Sequence, residues 1–259
     1  MKTLPIILFV ALVMVVCSFN TTNKRKFSLK TIVIDAGHGG KDIGCHGKKT
    51  KEAHIALTVA MEVGERIKSK LPGTKVIFTR DKDEFIELHD RAGLANKNNA
   101  DFFISIHCNS APSHIYGSET YTMGLHTTEG NLEVAKRENA VILKEDDYLK
   151  NYNGFDPNSP MAHILFANYQ NAHLTQSVKF ASYVEDEFKE GMGRHSRGVK
   201  QAGFLVLWKT AMPSALIEIG YLTNEDEEKF LKSPENQEDI ANSIVRALKK
   251  YKEDLETDN

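Results

Sequence analysis

The segment TIVIDAGHGG, residues 31–40, decides how the chain folds. Its first half is a run of β-branched apolar residues, which predicts a buried strand, and Gly37 ends that strand in a loop. A helical pattern with apolar residues four apart follows at 51–71, and a second apolar strand, KVIFT, lies at 75–79. A strand, a helix and a strand in close succession are typical of a parallel sheet covered by helices.

The same alternation continues towards the C-terminus. The patterns predict, in order, a helix at 84–97 capped by Asp83, strands at 101–107, 117–123, 204–208 and 215–219, and a helix at 234–251. We therefore predict an α/β fold in a single domain at 31–252. Its sheet is expected to be mostly parallel and twisted, with helices on both faces.

The interval 127–197 breaks this alternation. It contains a polar helical stretch at 130–143, an acidic loop at 144–160 and a long helical stretch at 161–190. We interpret 127–159 as a helical insertion on the domain, because its first part is more polar than a core element needs to be. The charged residues 253–259 are expected to form a frayed tail.

The N-terminus has the features of a secretory signal. An early lysine, an apolar run at 4–16 and small residues after it predict a signal peptide at 1–18, followed by a polar leader at 19–30. The run is shorter than the roughly 20 residues that a spanning helix needs. A lipid anchor on Cys17 and a retained anchor helix are the alternatives. Each interpretation places the folded part outside the cytoplasm, in the periplasm or cell envelope.

The composition is ordinary for a globular protein. The 259 residues are 41% hydrophobic, and 33 Lys and Arg against 35 Asp and Glu give a net charge of −2. Because there is no basic excess, we expect no nucleic-acid partner. We also expect a monomer. The two cysteines that follow the predicted signal peptide are Cys45 and Cys108. They are too few for a disulfide framework and form no CxxC pair, so we expect free thiols.

Side chains that can bind a metal ion or transfer a proton lie at the predicted carboxyl ends of three strands. His38 follows the first strand, His107 closes the third, and Glu218 lies at the end of a late one. In an open α/β sheet these strand ends form the ligand crevice. Two histidines and a carboxylate are the ligands of many catalytic zinc sites, and Glu52, at the start of the first helix, is the natural third ligand.

Each of these residues also has a simpler interpretation. A strand-end histidine is often a hydrogen-bonded structural residue, and Glu52 alone suits a first helical turn. Glu218 is harder to explain structurally, because it lies among apolar residues where an unpaired carboxylate is costly. Burial there would raise its pKa towards working pH, as a general base requires.

Several separately placed motifs together resemble the zinc-dependent N-acetylmuramoyl-L-alanine amidases, which cleave bacterial cell-wall peptidoglycan. They are DAGHGG at 35–40, Glu52, TRD at 79–81, SIHCN at 105–109, GSETY at 117–121 and IEIGYLTN at 217–224. The resemblance implies that His38, Glu52 and His107 hold a Zn²⁺ ion and that Glu218 is the catalytic carboxylate. It implies hydrolysis of the amide between N-acetylmuramic acid and L-alanine, for wall remodelling or daughter-cell separation.

Family members that act in daughter-cell separation can carry an inserted helical segment that covers the zinc until an activator protein displaces it. The stretch at 131–148 lies where such a segment would be. We hypothesise that it shields the cleft and that Glu138 occupies the open position of the zinc. A solvated helix without a gating role is the alternative.

Three further residues are candidates for supporting roles at the site. Arg80 and Arg91 are either substrate clamps or ion-pair partners of Asp81, Asp83 or Asp101, and Glu119 could orient a ligating histidine. Two other functions stay open for the whole chain. One is a non-catalytic peptidoglycan-binding or partner-binding domain on the same fold, and the other is a zinc hydrolase for a different amide or N-acetyl group.

Overall fold

The computed structural model describes residues 29–125, 128–167 and 172–257. Its six strands are β1 (Thr31–Ala36), β2 (Lys75–Phe78), β3 (Phe102–Asn109), β4 (Ser118–Met123), β5 (Ser196–Ala202) and β6 (Ser214–Tyr221). They form one sheet in the order β2-β1-β3-β6-β4-β5.

Nine α-helices accompany these strands in the described part of the chain. They are α1 (Glu52–Lys70), α2 (Leu88–Lys97), α3 (Glu129–Asn139), α4 (Tyr148–Asn151), α5 (Pro160–Ala167), α6 (Leu174–Asp186), α7 (Leu205–Trp208), α8 (Glu225–Lys232) and α9 (Pro234–Thr257). A 3₁₀ helix at Ala140–Lys144 follows α3, and a π-helical turn at Glu187–Gly191 ends α6.

The sheet is mostly parallel, as predicted. Strand β1 pairs in parallel with β2 and β3, β3 with β6, and β4 with β5, whereas β4 and β6 are antiparallel. The central strands β1, β3 and β6 therefore end at the same edge. Their register places His107 directly opposite Glu218, which brings residues from remote parts of the sequence together.

Helices cover both faces of the sheet and bury its alternating side chains. On one face α1, α6 and α9 pack against residues such as Ile34 and Ile104, and on the other α2, α3 and α7 pack against residues such as Val33 and Phe103. The predicted single α/β domain with helices on both faces is confirmed. Its core needs no disulfide, and Cys45 and Cys108 are free thiols as expected.

The predicted strand at 204–208 is wrong. Residues Leu205–Trp208 form a helical turn, and the actual strand, β5, precedes it at Ser196–Ala202. A short apolar run fits a buried strand and a buried helical turn equally well, so the pattern alone could not separate them. The β5 sequence is polar and half-buried at the sheet edge, which hid it from an apolar pattern.

Other boundaries also differ from the predictions. Helix α2 begins at Leu88 rather than near residue 84, and Asp83 accepts a hydrogen bond from the Gly40 N–H at 2.8 Å instead of capping that helix. Helix α9 continues to Thr257 and buries Leu255, so the expected frayed tail does not begin after Lys252. The long helical stretch at 161–190 consists of α5 and α6, and residues 168–171 lie outside the described ranges.

The insertion is helical, as predicted, but it is not a solvated surface element. Helix α3 buries Val134 and Ala135, and the 3₁₀ helix after it buries Val141 and Ile142, in the same cluster as Phe103 of the sheet. Two of its polar residues, Arg137 and Glu138, face the strand ends, whereas Glu129 and Glu133 are exposed, so the composition alone resembled that of an exposed helix.

The predicted signal peptide at 1–18, including Cys17, lies outside the described residues, as does the leader up to residue 28. Within the described residues, every helix is too short or too polar to span a bilayer.

Candidate metal centre

Four ionisable side chains converge at the carboxyl ends of β1 and β3. They are His38, Glu52, His107 and Glu138, and their potential ligand atoms lie within 4.8 Å of one another. The first three are the residues that the sequence predicts as ligands, and they come from the loop after β1, the first turn of α1, and β3. Glu138 comes from α3 of the insertion. All four are buried.

The distances among these atoms suit a small cation at their centre. Glu52 Oε1 lies 3.0 Å from both His38 Nε2 and His107 Nδ1, and Glu138 Oε2 lies 3.2 Å from the same two nitrogens. Tetrahedral bonds of about 2.0–2.1 Å, usual for zinc with nitrogen and oxygen ligands, put neighbouring ligand atoms about 3.3 Å apart. The donor set and its spacing therefore fit zinc.

The DAGHGG segment allows this close approach through its backbone. His38 has a left-handed φ of 59°, and a Cβ atom at Gly37 would lie 2.4 Å from the His107 ring. Any side chain at Gly37 would therefore displace His107. The glycine before His38 is needed so that the two imidazoles can face the same point.

Outer contacts fix the orientation of the candidate ligands. His38 Nδ1 lies 2.6 Å from Asp42 Oδ2, so Nε2 is left to face the centre. Although burial opposes it, the bond to His38 holds the pKa of Asp42 below its usual range. Glu52 accepts hydrogen bonds from the backbone N–H groups of Cys45 at 2.8 Å and Cys108 at 3.0 Å. Sequence analysis missed Asp42, whose only signal is an acid four residues after a histidine.

Negative charge exceeds fixed positive charge at this centre. Burial alone would lower the pKa of His107, but the adjacent Glu138 carboxylate raises it to about 9. Among the described residues, His38 Nε2 and Glu138 Oε2 are buried atoms without an aligned hydrogen-bond partner. Groups that point at a common centre rather than at each other are what a bound cation requires.

Glu218 lies beside this centre and is fully buried. Neither of its carboxylate oxygens has a hydrogen-bond partner in the described part of the chain, and the nearest cation is Arg137, with Nη2 3.8 Å from Oε1. Burial raises the pKa of the Glu218 carboxyl well above its usual range, and the Glu138 charge raises it further. This is the environment that the sequence predicted for a general base.

Helix α3 covers the centre with two adjacent side chains of opposite charge. Glu138 points between the two imidazoles, while Arg137 lies 3.1 Å from Glu138 Oε1 and faces Glu218. Arg137 also donates to Asn109 Oδ1 at 2.8 Å and to the Ser110 carbonyl at 3.1 Å. The insertion therefore contacts the β3 strand end directly at the predicted site.

The structure decides between the two interpretations of Arg80 and of Arg91. Arg80 donates to the carbonyls of Ala36, Gly37 and Ala53, and Arg91 is paired with Asp35 at 2.8 Å. Both arginines are buried, so the substrate-clamp interpretation is wrong, and neither pairs with the predicted aspartates.

Glu119 does not orient a histidine. It accepts from Asn109 and Tyr121 and contacts Lys200 and Arg197. The histidine-orienting carboxylate is Asp42 instead.

Replacing Arg91 by Met should destabilise the fold by about 3–5 kcal/mol, because it leaves the Asp35 carboxylate buried without its cation. Denaturant unfolding measures the difference. Arg246→Met, which removes an exposed pair with Glu187, is the matched control and should cost less than about 1 kcal/mol. Equal losses in both variants would contradict a structural role specific to Arg91.

A second group of potential ligands, Glu87, His89 and Glu145, lies between α2 and the insertion. Glu145 already accepts hydrogen bonds from the Tyr152 hydroxyl at 2.6 Å and the Leu88 N–H at 2.8 Å. These bonds join the insertion to α2, so the group has a structural explanation without a cation.

Comparison with known proteins identifies the family. The family model described as N-acetylmuramoyl-L-alanine amidase matches residues 32–250. The chain is 32% identical over 222 residues to the N-acetylmuramoyl-L-alanine amidase AmiC of Escherichia coli, covering 85% of this chain and 52% of that relative, about half its length.

Solved amidases have the same fold. The catalytic domain of CwlV, an N-acetylmuramoyl-L-alanine amidase of Bacillus (Paenibacillus) polymyxa, superposes with a TM-score of 0.63 at 30% identity, covering 86% of this chain and 97% of that one. The CwlD amidase of Clostridioides difficile, solved in complex with the GerS lipoprotein, gives 0.62 at 25% identity, with 86% and 98% covered. The chain therefore belongs to the N-acetylmuramoyl-L-alanine amidase family of enzymes.

Proposed function

We propose that this chain is a zinc-dependent enzyme that hydrolyses the amide between N-acetylmuramic acid and L-alanine in peptidoglycan. Its role would be wall remodelling or daughter-cell separation. The observation that carries the proposal is the convergence of His38, Glu52 and His107 on one point beside Glu218. A domain that only bound peptidoglycan would have no use for a buried carboxylate without hydrogen-bond partners at that point.

His38, Glu52 and His107 would hold the zinc, with Asp42 fixing the ring of His38. When bound, zinc lowers the pKa of a water molecule towards about 7 and polarises an amide carbonyl. The backbone N–H groups of Cys45 and Cys108 keep the Glu52 carboxylate in place. Glu138 lies against both imidazole nitrogens and would close the side from which substrate reaches these three residues.

Glu218 would move the protons of the reaction. It would accept a proton from the attacking water and deliver it to the nitrogen of L-alanine as the amide bond breaks. An amide nitrogen leaves poorly without that proton, and general acid–base help of this kind contributes roughly 10²–10⁴-fold. Burial raises the pKa of the Glu218 carboxyl well above its usual range, which favours the protonated form that delivers a proton to the leaving nitrogen.

We further propose that α3 inhibits the resting enzyme and that an activator protein displaces it. Glu138 reaches both imidazole nitrogens and Arg137 faces Glu218, so the helix blocks both the metal position and the catalytic carboxylate. The complex of CwlD with a lipoprotein supports the idea that amidases of this family work with protein partners.

We place the enzyme in the periplasm or cell envelope, exported by the signal peptide at 1–18 or anchored by lipid at Cys17. Peptidoglycan lies outside the cytoplasm, which supports export. We propose that it acts as a monomer without a nucleic-acid partner.

Digestion of purified peptidoglycan tests the activity. The wild type and Glu138→Ala should release free stem peptides and leave peptide-free glycan, as seen by mass spectrometry. Chelation should abolish the release and added zinc should restore it, because the proposed chemistry depends on an ion held by the two imidazoles and Glu52. Release that is indifferent to chelators, or fragments cut at another amide or an N-acetyl group, would contradict the proposal.

A further inference from the structure

A cavity of about 550 Å³ lies beside the candidate metal centre, on the side of β4 and β5. Asn109 at the end of β3, Glu119 on β4 and Arg137 of the insertion line it. Glu119 is the antiparallel partner of Glu218, so both side chains leave the same face of the sheet at the same level. The cavity therefore begins next to the proposed catalytic carboxylate.

Two cations of β5 form the far wall of this cavity. Arg197 and Lys200 both contact the same oxygen of Glu119, and their side chains keep 30% and 22% of their surface exposed. Two positive charges face one carboxylate, so this wall has a net positive charge. Arg197 and Lys200 belong to the sheet and not to the insertion, so the charge remains if α3 moves.

The opposite side of the centre has a different charge. A smaller cavity of about 200 Å³ there is lined by Asp42, Cys45 and Lys144, among others. Its two cations, Lys144 and Arg137, both belong to the insertion, and Lys144 pairs with Asp42 at 2.8 Å. Asp42 is the acidic residue that the domain itself contributes to this lining. Displacing the insertion would therefore remove both cations that line the smaller cavity, whereas Arg197 and Lys200 would stay on the other side.

This difference in charge between the two sides of the centre matches the difference between the stem peptide and the sugar of the substrate. The stem peptide has free carboxylates, whereas the sugar and its N-acetyl and lactyl groups next to the bond are neutral. We propose that Arg197 and Lys200 bind a stem-peptide carboxylate, so that the peptide leaves along β5 and the glycan lies on the Asp42 side. This inference rests on the proposed function and adds the direction and the charge preference of the substrate.

Kinetics on soluble muramoyl peptides test the assignment in the Glu138→Ala background. One substrate has a free glutamate α-carboxylate and the other has the α-carboxamide. Lys200→Met and Arg197→Met should each raise KM for the acid by about 10–100-fold with little change in kcat, because a charged hydrogen bond to substrate is lost. For the carboxamide, KM should change little. Lys97→Met, on the exposed end of α2, is the control and should change neither.

Calorimetric binding of the free stem peptide separates this inference from the proposed function, because it needs no turnover. Lys200→Met should weaken binding of the acidic peptide by the same factor as it raises KM. Unchanged binding and unchanged KM, or an equal loss for the acid and the carboxamide, would overturn the assignment even if the amidase activity stands. Absence of turnover with intact, Lys200-dependent binding would overturn the proposed function alone.

Discussion

Glu218→Gln should lose nearly all turnover while the protein keeps its zinc. Glutamine has almost the same shape but cannot accept the proton of the attacking water, so we expect a loss of at least about 10²–10⁴-fold. The substitution replaces a buried carboxyl group whose oxygens have no hydrogen-bond partners, so it breaks no hydrogen bond of the fold, which should remain intact. Mass spectrometry of digested muropeptides, together with metal content, measures both parts of the prediction.

Glu185→Gln is the matched control for that experiment. Glu185 is a second buried glutamate, but it accepts hydrogen bonds from the hydroxyls of Ser118, Thr120 and Ser196 and lies away from the metal centre. The Glu185→Gln enzyme should keep its activity. A fully active Glu218→Gln enzyme, or one that has lost its zinc, would contradict the role assigned to Glu218.

Glu138→Ala should raise the basal release of stem peptides by about tenfold or more without any activator. The substitution removes the carboxylate that lies 3.2 Å from both imidazole nitrogens and opens the position to water and substrate. Glu129→Ala, an exposed position in the first turn of the same helix, is the control and should leave the basal rate unchanged. Equal basal rates in wild type and Glu138→Ala would refute inhibition by Glu138.

A point substitution is a better test of inhibition by α3 than deletion of the insertion at residues 127–159. That segment buries Val134, Val141 and Ile142 in the core, at roughly 1.5–3 kcal/mol for each side chain. Deletion would therefore test stability as well as gating. An activator that moved the helix from 1% to 99% displaced would need to bind the displaced state more favourably by about 5.5 kcal/mol.

The central sheet was predictable because its strands carry dense β-branched runs, and parallel pairing brings their ends together whatever the sequence distance. His38, His107 and Glu218 could therefore be placed at one edge before the structure was known. Strand β5 could not be predicted, because it is a half-buried edge strand with a polar sequence and has no apolar run. It contributes Arg197 and Lys200, the two cations that we propose bind the stem peptide.

The supporting contacts of the site were the least predictable part. Asp42 and the pairing of Arg91 with Asp35 depend on how loops fold over the strand ends, and no periodic pattern encodes that. Glu138 was expected only through the family resemblance. The structure adds Arg137, whose contact with Glu218 no sequence spacing suggested.

The zinc K-edge X-ray absorption spectrum of the resting enzyme tests the metal assignment most directly. It should contain only nitrogen and oxygen neighbours at about 2.0–2.2 Å, from two imidazoles and two carboxylates, and Glu138→Ala should exchange one carboxylate for water. A sulfur neighbour at about 2.3 Å, from Cys45 or Cys108, or a preparation that takes up no zinc at all, would contradict it.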